Sequence, residues 1–196
     1  MSKKTKPMSS FYPFYQVYYG KESRLSLKQR KNFGMAISAT ENVISQAFVS
    51  RSETPIINYL NKEYKYALTA KFLENFLTIS YTYERFYQNF IRGQNKLVVE
   101  TPGCYYDKIS IRFHYLYDVG SDRFIIISYG ESNNIGTDFG IMKVMCNFYA
   151  EKSLPSSTKS FEYWNLSDGS IQEISANNIK EVKINSLQPV IYRLAS

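Results

Sequence analysis

Residues 108–117 alternate strictly. Ile109, Ile111, Phe113, Tyr115 and Tyr117 fall on one side, and Ser110, Arg112 and His114 on the other. A period of two predicts a half-buried strand. Gly120-Ser121 supplies hairpin-turn chemistry, and the apolar run at 124–129 predicts the returning strand. Upstream the period changes. Phe72, Phe76, Ile79, Tyr83, Phe86 and Phe90 recur at steps of three and four. This spacing predicts an amphipathic helix over residues 69–91, with Thr69 as its N-cap and Gly93 as its stop. The β-branched residues at 78–82 mark where it would break. A second helix is predicted over 139–151, with Asp138 as N-cap and Ile141, Met142, Met145 and Phe148 on its buried stripe.

The rest of the chain reads mainly as strand. Residues 14–27 suggest strand, a break at Gly20, and strand again, with Arg24, Ser26 and Lys28 alternating with Leu25 and Leu27. Residues 34–38 and 43–49 read as two strands about a turn at 40–42, and 56–66 as another. Residues 96–101 read as a strand ended by Pro102-Gly103. After Pro155, weaker strand signals lie at 161–164, 171–174, 182–184 and 190–194. Segregated runs of strands and helices predict an α+β fold. Three parts are expected: a flexible basic tail at 1–10, an α+β domain at 11–154, and a small C-terminal β-rich extension at 155–196.

Composition narrows the class. The chain has 196 residues, 44% of them hydrophobic, which is enough for a packed core and excludes wholesale disorder. No apolar run approaches the length of a membrane span. The first ten residues are basic and polar, without the apolar stretch of a secretory signal, so an intracellular, non-secreted protein is expected. Cys104 and Cys146 read as free thiols.

Net charge is +7, and its placement matters more than its size. Residues 1–31 hold eight basic side chains against one acid, Glu22, while the other 165 residues balance at sixteen of each. The same stretch carries Phe11, Tyr12, Phe14, Tyr15, Tyr18 and Tyr19. Cations neutralise phosphates and exposed rings stack on bases, a combination suited to single-stranded nucleic acid. The expected contacts are Lys21, Arg24, Lys28, Arg30 and Lys31 on phosphates, with Tyr15, Tyr18, Tyr19 and Phe33 on bases.

Motifs of catalysis and metal binding are missing. One histidine, His114, cannot build a zinc site without partners, and there is no Gly-x-Ser-x-Gly elbow. Asp138-Phe139-Gly140 spells a kinase triplet without the accompanying kinase motifs, and no phosphate-binding Gly-x4-Gly-Lys is present. No enzyme, metal or cofactor is expected.

Three stretches, taken in order, resemble the Whirly family of single-stranded nucleic-acid-binding proteins. Val17-Tyr18-Tyr19-Gly20-Lys21-Glu22-Ser23-Arg24-Leu25-Ser26-Leu27 is similar to the family's strand with a lysine-glycine-lysine turn, although Tyr19 replaces the first lysine and the segment is one residue longer. Tyr66-Ala67-Leu68-Thr69-Ala70-Lys71-Phe72 and the residues to Ile79 resemble its strand-to-helix junction. The hairpin at 108–129 followed by the 139–151 helix is similar to its closing elements. The resemblance covers about residues 14–151. It implies two antiparallel β-sheets packed as blades, two amphipathic helices at their base in a tetrameric homo-oligomer, and single strands bound with little sequence preference. Two other readings remain open at this level. One is a structural or assembly protein, such as a viral or phage component, that oligomerises through its aromatic strands and helices. The other is a β-barrel or sandwich that takes a small apolar ligand.

Overall fold

A computed structural model describes residues 4–8, 11–20, 26–130, 134–152, 154, 155 and 157–196. In chain order the elements are β1 (Thr5–Met8), α1 (Tyr12–Tyr18), α2 (Leu27–Ser50), α3 (Thr54–Leu60), α4 (Ala67–Ser80), α5 (Phe86–Asn89), β2 (Phe90–Glu100), β3 (Lys108–Asp118), β4 (Arg123–Ser128), α6 (Ile135–Tyr149), β5 (Ser160–Asn165), β6 (Ser170–Ser175) and α7 (Ile184–Ala195). The α+β class expected from the sequence holds.

The finer arrangement differs from two antiparallel blades. All six strands form one mixed sheet. β2 pairs antiparallel with the whole of β3. The other edge of β3 is shared end to end: β1 runs parallel to its first half, and β4 antiparallel to its second. β5 then pairs parallel with β4, and β6 antiparallel with β5. Parallel neighbours need a crossover, and α6 supplies it between β4 and β5. Side chains alternate across the sheet, so each face carries its own core. Leu97, Ile109, Ile111, Phe113, Phe124, Ile126 and Phe161 point to one face and pack against α1, α6 and α7. Phe90, Leu116, Ile125, Ile127 and Trp164 point to the other and pack against α2, α3, α4 and α5. This layering explains the run at 124–127: β4 is buried on both faces. Trp164 is fully buried, and truncating it to alanine is expected to cost about 3–5 kcal/mol.

Among the described residues, the strands expected at 34–38 and 43–49 lie in α2, residues 14–18 of the first expected strand lie in α1 and residues 56–60 of the last lie in α3; residues 21–25 lie outside the described residues. In α2, Ala36, Ile37, Thr40, Val43, Ile44 and Ala47 are buried. Those positions step by three and one, a helical stripe hidden among β-branched residues. Ser26 caps the helix: its Oγ accepts from the Gln29 amide at 3.3 Å, and Gln29 Oε1 accepts from the Ser26 amide at 2.8 Å. That reciprocal pair overrides local strand preference. Pro13 and Pro55 sit in the first turns of α1 and α3, where a missing amide proton costs nothing.

Other boundaries move for specific reasons. The helix expected over 69–91 stops at Ser80, and Arg85, in the left-handed region, starts the short α5. Thr69 lies buried inside α4 rather than capping it. Gly93 lies within β2, where a Cβ would meet the Tyr115 ring at 2.2 Å. Asn134, not Asp138, caps α6, accepting from the Thr137 amide at 3.0 Å. Of the tail, residues 1–3, 9 and 10 lie outside the described residues, and Thr5–Met8 is a strand because β3 has a free edge there. Residues after Pro155 are not set apart from the rest. β5 lies inside the sheet, and 190–194, expected as strand, belongs to α7, which buries Leu187, Val190, Ile191 and Leu194 in the first core. No strand forms at 182–184.

Candidate nucleic-acid interface

The aromatic half of the expected interface turns inward. Residues 12–18 form α1, which packs Phe14 and Tyr15 into the first core against the sheet. Tyr15 is 5% exposed, and its hydroxyl donates to the Asp138 carbonyl at 3.1 Å. Tyr19 donates to Asp138 Oδ1 at 2.7 Å, and Tyr18 crosses Tyr19 edge to face at 5.1 Å; both are half-buried against the first core. Burial pushes the Tyr15 and Tyr19 phenols up, so they stay protonated donors. Phe33 is half-buried and meets Phe72 edge to face at 5.9 Å. These four rings do not form an open stacking platform.

The basic half stays outside. Lys28, Arg30 and Lys31 are all exposed at the start of α2. Lys21 and Arg24 lie outside the described residues. The first turn of α2 holds no acid. Cations at the positive end of a helix dipole raise the energy of the free helix by a few tenths to about 1 kcal/mol each, which a bound anion relieves.

A second basic and aromatic segment, residues 61–66, connects α3 to α4. α2 and α4 pack against each other, with Phe33 touching Phe72 in their second turns, and Phe48 near the end of α2 touches Phe86 of α5. α3 runs back along α2, facing it through Tyr59 and Lys62 across a groove with Ala39 and Asn42. The 61–66 connection leads from this groove, where Lys62 lies with Ala39 and Asn42 of mid-α2, into the start of α4. It carries Lys62, Tyr64, Lys65 and Tyr66, with the two tyrosines 88% and 67% exposed. The Lys62 ammonium stands over the Tyr59 ring at 5.3 Å, and Lys65 donates to the Leu60 carbonyl at the end of α3. Tyr66 precedes α4 without a side-chain cap, and no acid sits in the first turn of α4 either. The only acid in the connection is Glu63.

The same face of the sheet adds charge. Lys96 and Arg112 stand directly opposite each other in register, like charges that destabilise a strand pair. Lys96 is partly neutralised by Glu151 at 3.1 Å, and Arg112 is exposed.

Sequence reading missed Tyr64 and Tyr66. It took 56–66 as a strand, although the alternation of lysine and tyrosine at 62–66 was the signal it sought further upstream.

Two polar networks inside the molecule hold the layers together. The Glu41 carboxylate on α2 takes Arg92 Nη2 at 2.7 Å and the Tyr129 hydroxyl at 2.6 Å, with His114 Nε2 at 3.8 Å. Glu162, almost fully buried, accepts from Arg123 and Tyr83 at 2.6 Å and from the Trp164 indole at 2.7 Å. Both carboxylates are satisfied by fixed donors. Cys146 is buried, which pushes its thiol up to about 12. Among the described residues, no group of three His, Cys, Asp or Glu side chains is placed to hold a metal ion. Among them, too, no helix is long and apolar enough to cross a membrane.

No family model matches the chain, no curated protein matches it, and no solved structure matches it.

Proposed function

We propose that the protein is a non-catalytic binder of single-stranded nucleic acid with little sequence preference, and that the strand lies across the shared N-terminal end of α2 and α4. Lys28, Arg30 and Lys31 take phosphates there, with Lys62 and Lys65 adding charge. The exposed rings of Tyr64 and Tyr66 take over the stacking role expected of Tyr15, Tyr18 and Tyr19. The reading rests on one observation above all: three exposed cations crowd the acid-free first turns of α2, at the positive end of its dipole. Phosphate supplies the missing counter-charge, and every base has a face to stack, so neither contact reads sequence.

The test is a fluorescence titration with labelled oligo-dT over a salt series, with duplex DNA and single-stranded RNA in parallel. Affinity should fall linearly on a log–log plot as salt rises, with single strands bound more tightly than duplex. No binding at about 50 mM salt, or salt-independent binding equal for both forms, would sink the reading. Light scattering on the same samples reports whether the tetramer implied by the Whirly resemblance forms.

A further inference from the structure

A cleft of about 390 Å³ opens between the C-terminal end of α2 and the start of β2. It lies at the far end of α2 from the basic turn. Phe48, Val49, Tyr87 and Ile91 give it an apolar wall, and Arg51 and Arg92 are its cations. Such a volume accommodates a small organic ligand.

The polar atoms of this wall have a common deficit. The Tyr87 hydroxyl and Arg92 Nε are both buried, and neither has a hydrogen-bond partner. Burial pushes the Tyr87 phenol up, so it remains an O–H group. Arg92 is otherwise fixed by Glu41. The exposed Arg51 guanidinium has donors only. Ser45 and Gln88 also line the cleft with acceptor oxygens and the Glu53 carboxylate lies near Tyr87, yet the Tyr87 hydroxyl and Arg92 Nε stay unpaired, and unpaired buried donors in a native wall call for an explanation. Val49 and Ile91 are 85% and 57% exposed, apolar surface that a ligand body would cover.

We infer that this cleft binds a small organic anion, its carboxylate or phosphate held between Arg51, Arg92 and the Tyr87 hydroxyl, and its apolar body lying on Phe48, Val49 and Ile91. Val49 and Ile91 form the exposed rim. The inference is independent of the nucleic-acid reading, since it uses none of the same residues.

The test uses the full chain in ¹⁵N-labelled form, titrated with octanoate, benzoate, adenosine 5′-monophosphate and, as a head group alone, inorganic phosphate. At least one organic probe should shift amides at 45–51 and 87–92 and raise the melting temperature, while phosphate alone binds at least tenfold more weakly. Carboxylate against nucleotide probes separates the two sources of the head group. Tyr87→Phe removes an unpaired hydroxyl, so the free protein should be as stable as wild type or more so, yet bind the probe about tenfold more weakly. Arg51→Gln should weaken binding similarly without changing the melting temperature of the free protein. Absence of shifts with every organic probe overturns the inference. So does a Tyr87→Phe protein that is less stable than wild type and binds the probe unchanged.

Discussion

Phe33 on α2 meets Phe72 on α4 edge to face, with ring centroids 5.9 Å apart and planes at 90°, and this contact joins the second turns of the two helices behind the exposed cations of α2. The cations of α2 gain their meaning from that placement. Replacing Lys28, Arg30 and Lys31 together by glutamine should weaken oligo-dT binding for all sequences alike. The log–log salt slope should also become shallower by about 2, since each lost phosphate contact on a single strand contributes about 0.7. A filter-binding series over salt reads both quantities. An unchanged slope would remove these residues from the interface.

Rings and charges separate experimentally. Tyr64→Ala and Tyr66→Ala should each cost about 1–3 kcal/mol of oligo-dT binding, the usual worth of a stacked base, and leave the salt slope unaltered. Tyr18→Ala, on a ring half-buried against α1's own core, is expected to lower the melting temperature instead, with oligonucleotide affinity per folded molecule preserved. Reversal of that pattern would return the stacking role to the N-terminal helix.

The Glu162 carboxylate depends on its three donors. Arg123 is its only ion-pair partner among the described residues, at 2.6 Å, and Arg123 keeps a quarter of its side chain in solvent. Arg123→Met strands a charge in the second core and should destabilise the fold by about 3 kcal/mol in urea unfolding. Glu162→Gln with Arg123→Met should recover much of that loss, because the neutral amide still accepts from Tyr83 and Trp164. A double variant no better than the single one would mean that packing, not charge, sets the cost.

How far the sequence spoke depends on whether a rhythm was pure. β3, β4 and α6 were legible because strict alternation and an unbroken apolar run admit one reading. α2 was not: its buried stripe from Ala36 to Ala47 is diluted by Ser38, Thr40, Ser45 and by β-branched neighbours that favour strand locally. The capping box of Ser26, a position read as strand, and Gln29 beyond it outweighs that preference. Charge was legible as a sum and as a cluster, and Lys28, Arg30 and Lys31 of that cluster are exposed. Exposure was not, because the 11–19 segment packs largely as a helix on a sheet face that only long-range pairing creates. Tyr64 and Tyr66 stayed hidden for the converse reason: rings read as strand formers, while here they occupy an exposed connection.

Gly140 shows how the last forty residues are tied to the fold. A Cβ there would lie 2.2 Å from the Lys180 carbonyl oxygen, a backbone atom of the segment crossing α6, and 3.0 Å from a Val182 methyl. Lys180 also donates its amide to the Gly136 carbonyl at 3.1 Å. Alanine favours a helix over glycine by about 1 kcal/mol, but relieving the clash requires the crossing segment to move, at about 1–3 kcal/mol. Gly140→Ala should therefore destabilise, with amide exchange accelerating first at 176–183. A stabilised variant would show that this segment is not docked on α6.

His114 sets a pH dependence whose sign follows from its surroundings. Burial beside Arg92 and Arg112 holds its pKa below the ordinary 6.5, and Glu41 on α2 opposes that shift only in part. In the unfolded chain the imidazole takes a proton near pH 6.5, whereas in the folded chain it does so only at lower pH. Between those two values the unfolded state binds more protons, so stability falls as pH drops through the window. His114 is the only histidine in the chain, so a variant isolates its contribution. Urea unfolding at pH 7.5 and pH 5 should show wild type losing more stability on acidification than His114→Gln, with the two converging at the acid end. Parallel pH profiles would mean that the imidazole is charged as readily inside the fold as outside it, contrary to its burial between α2 and the sheet.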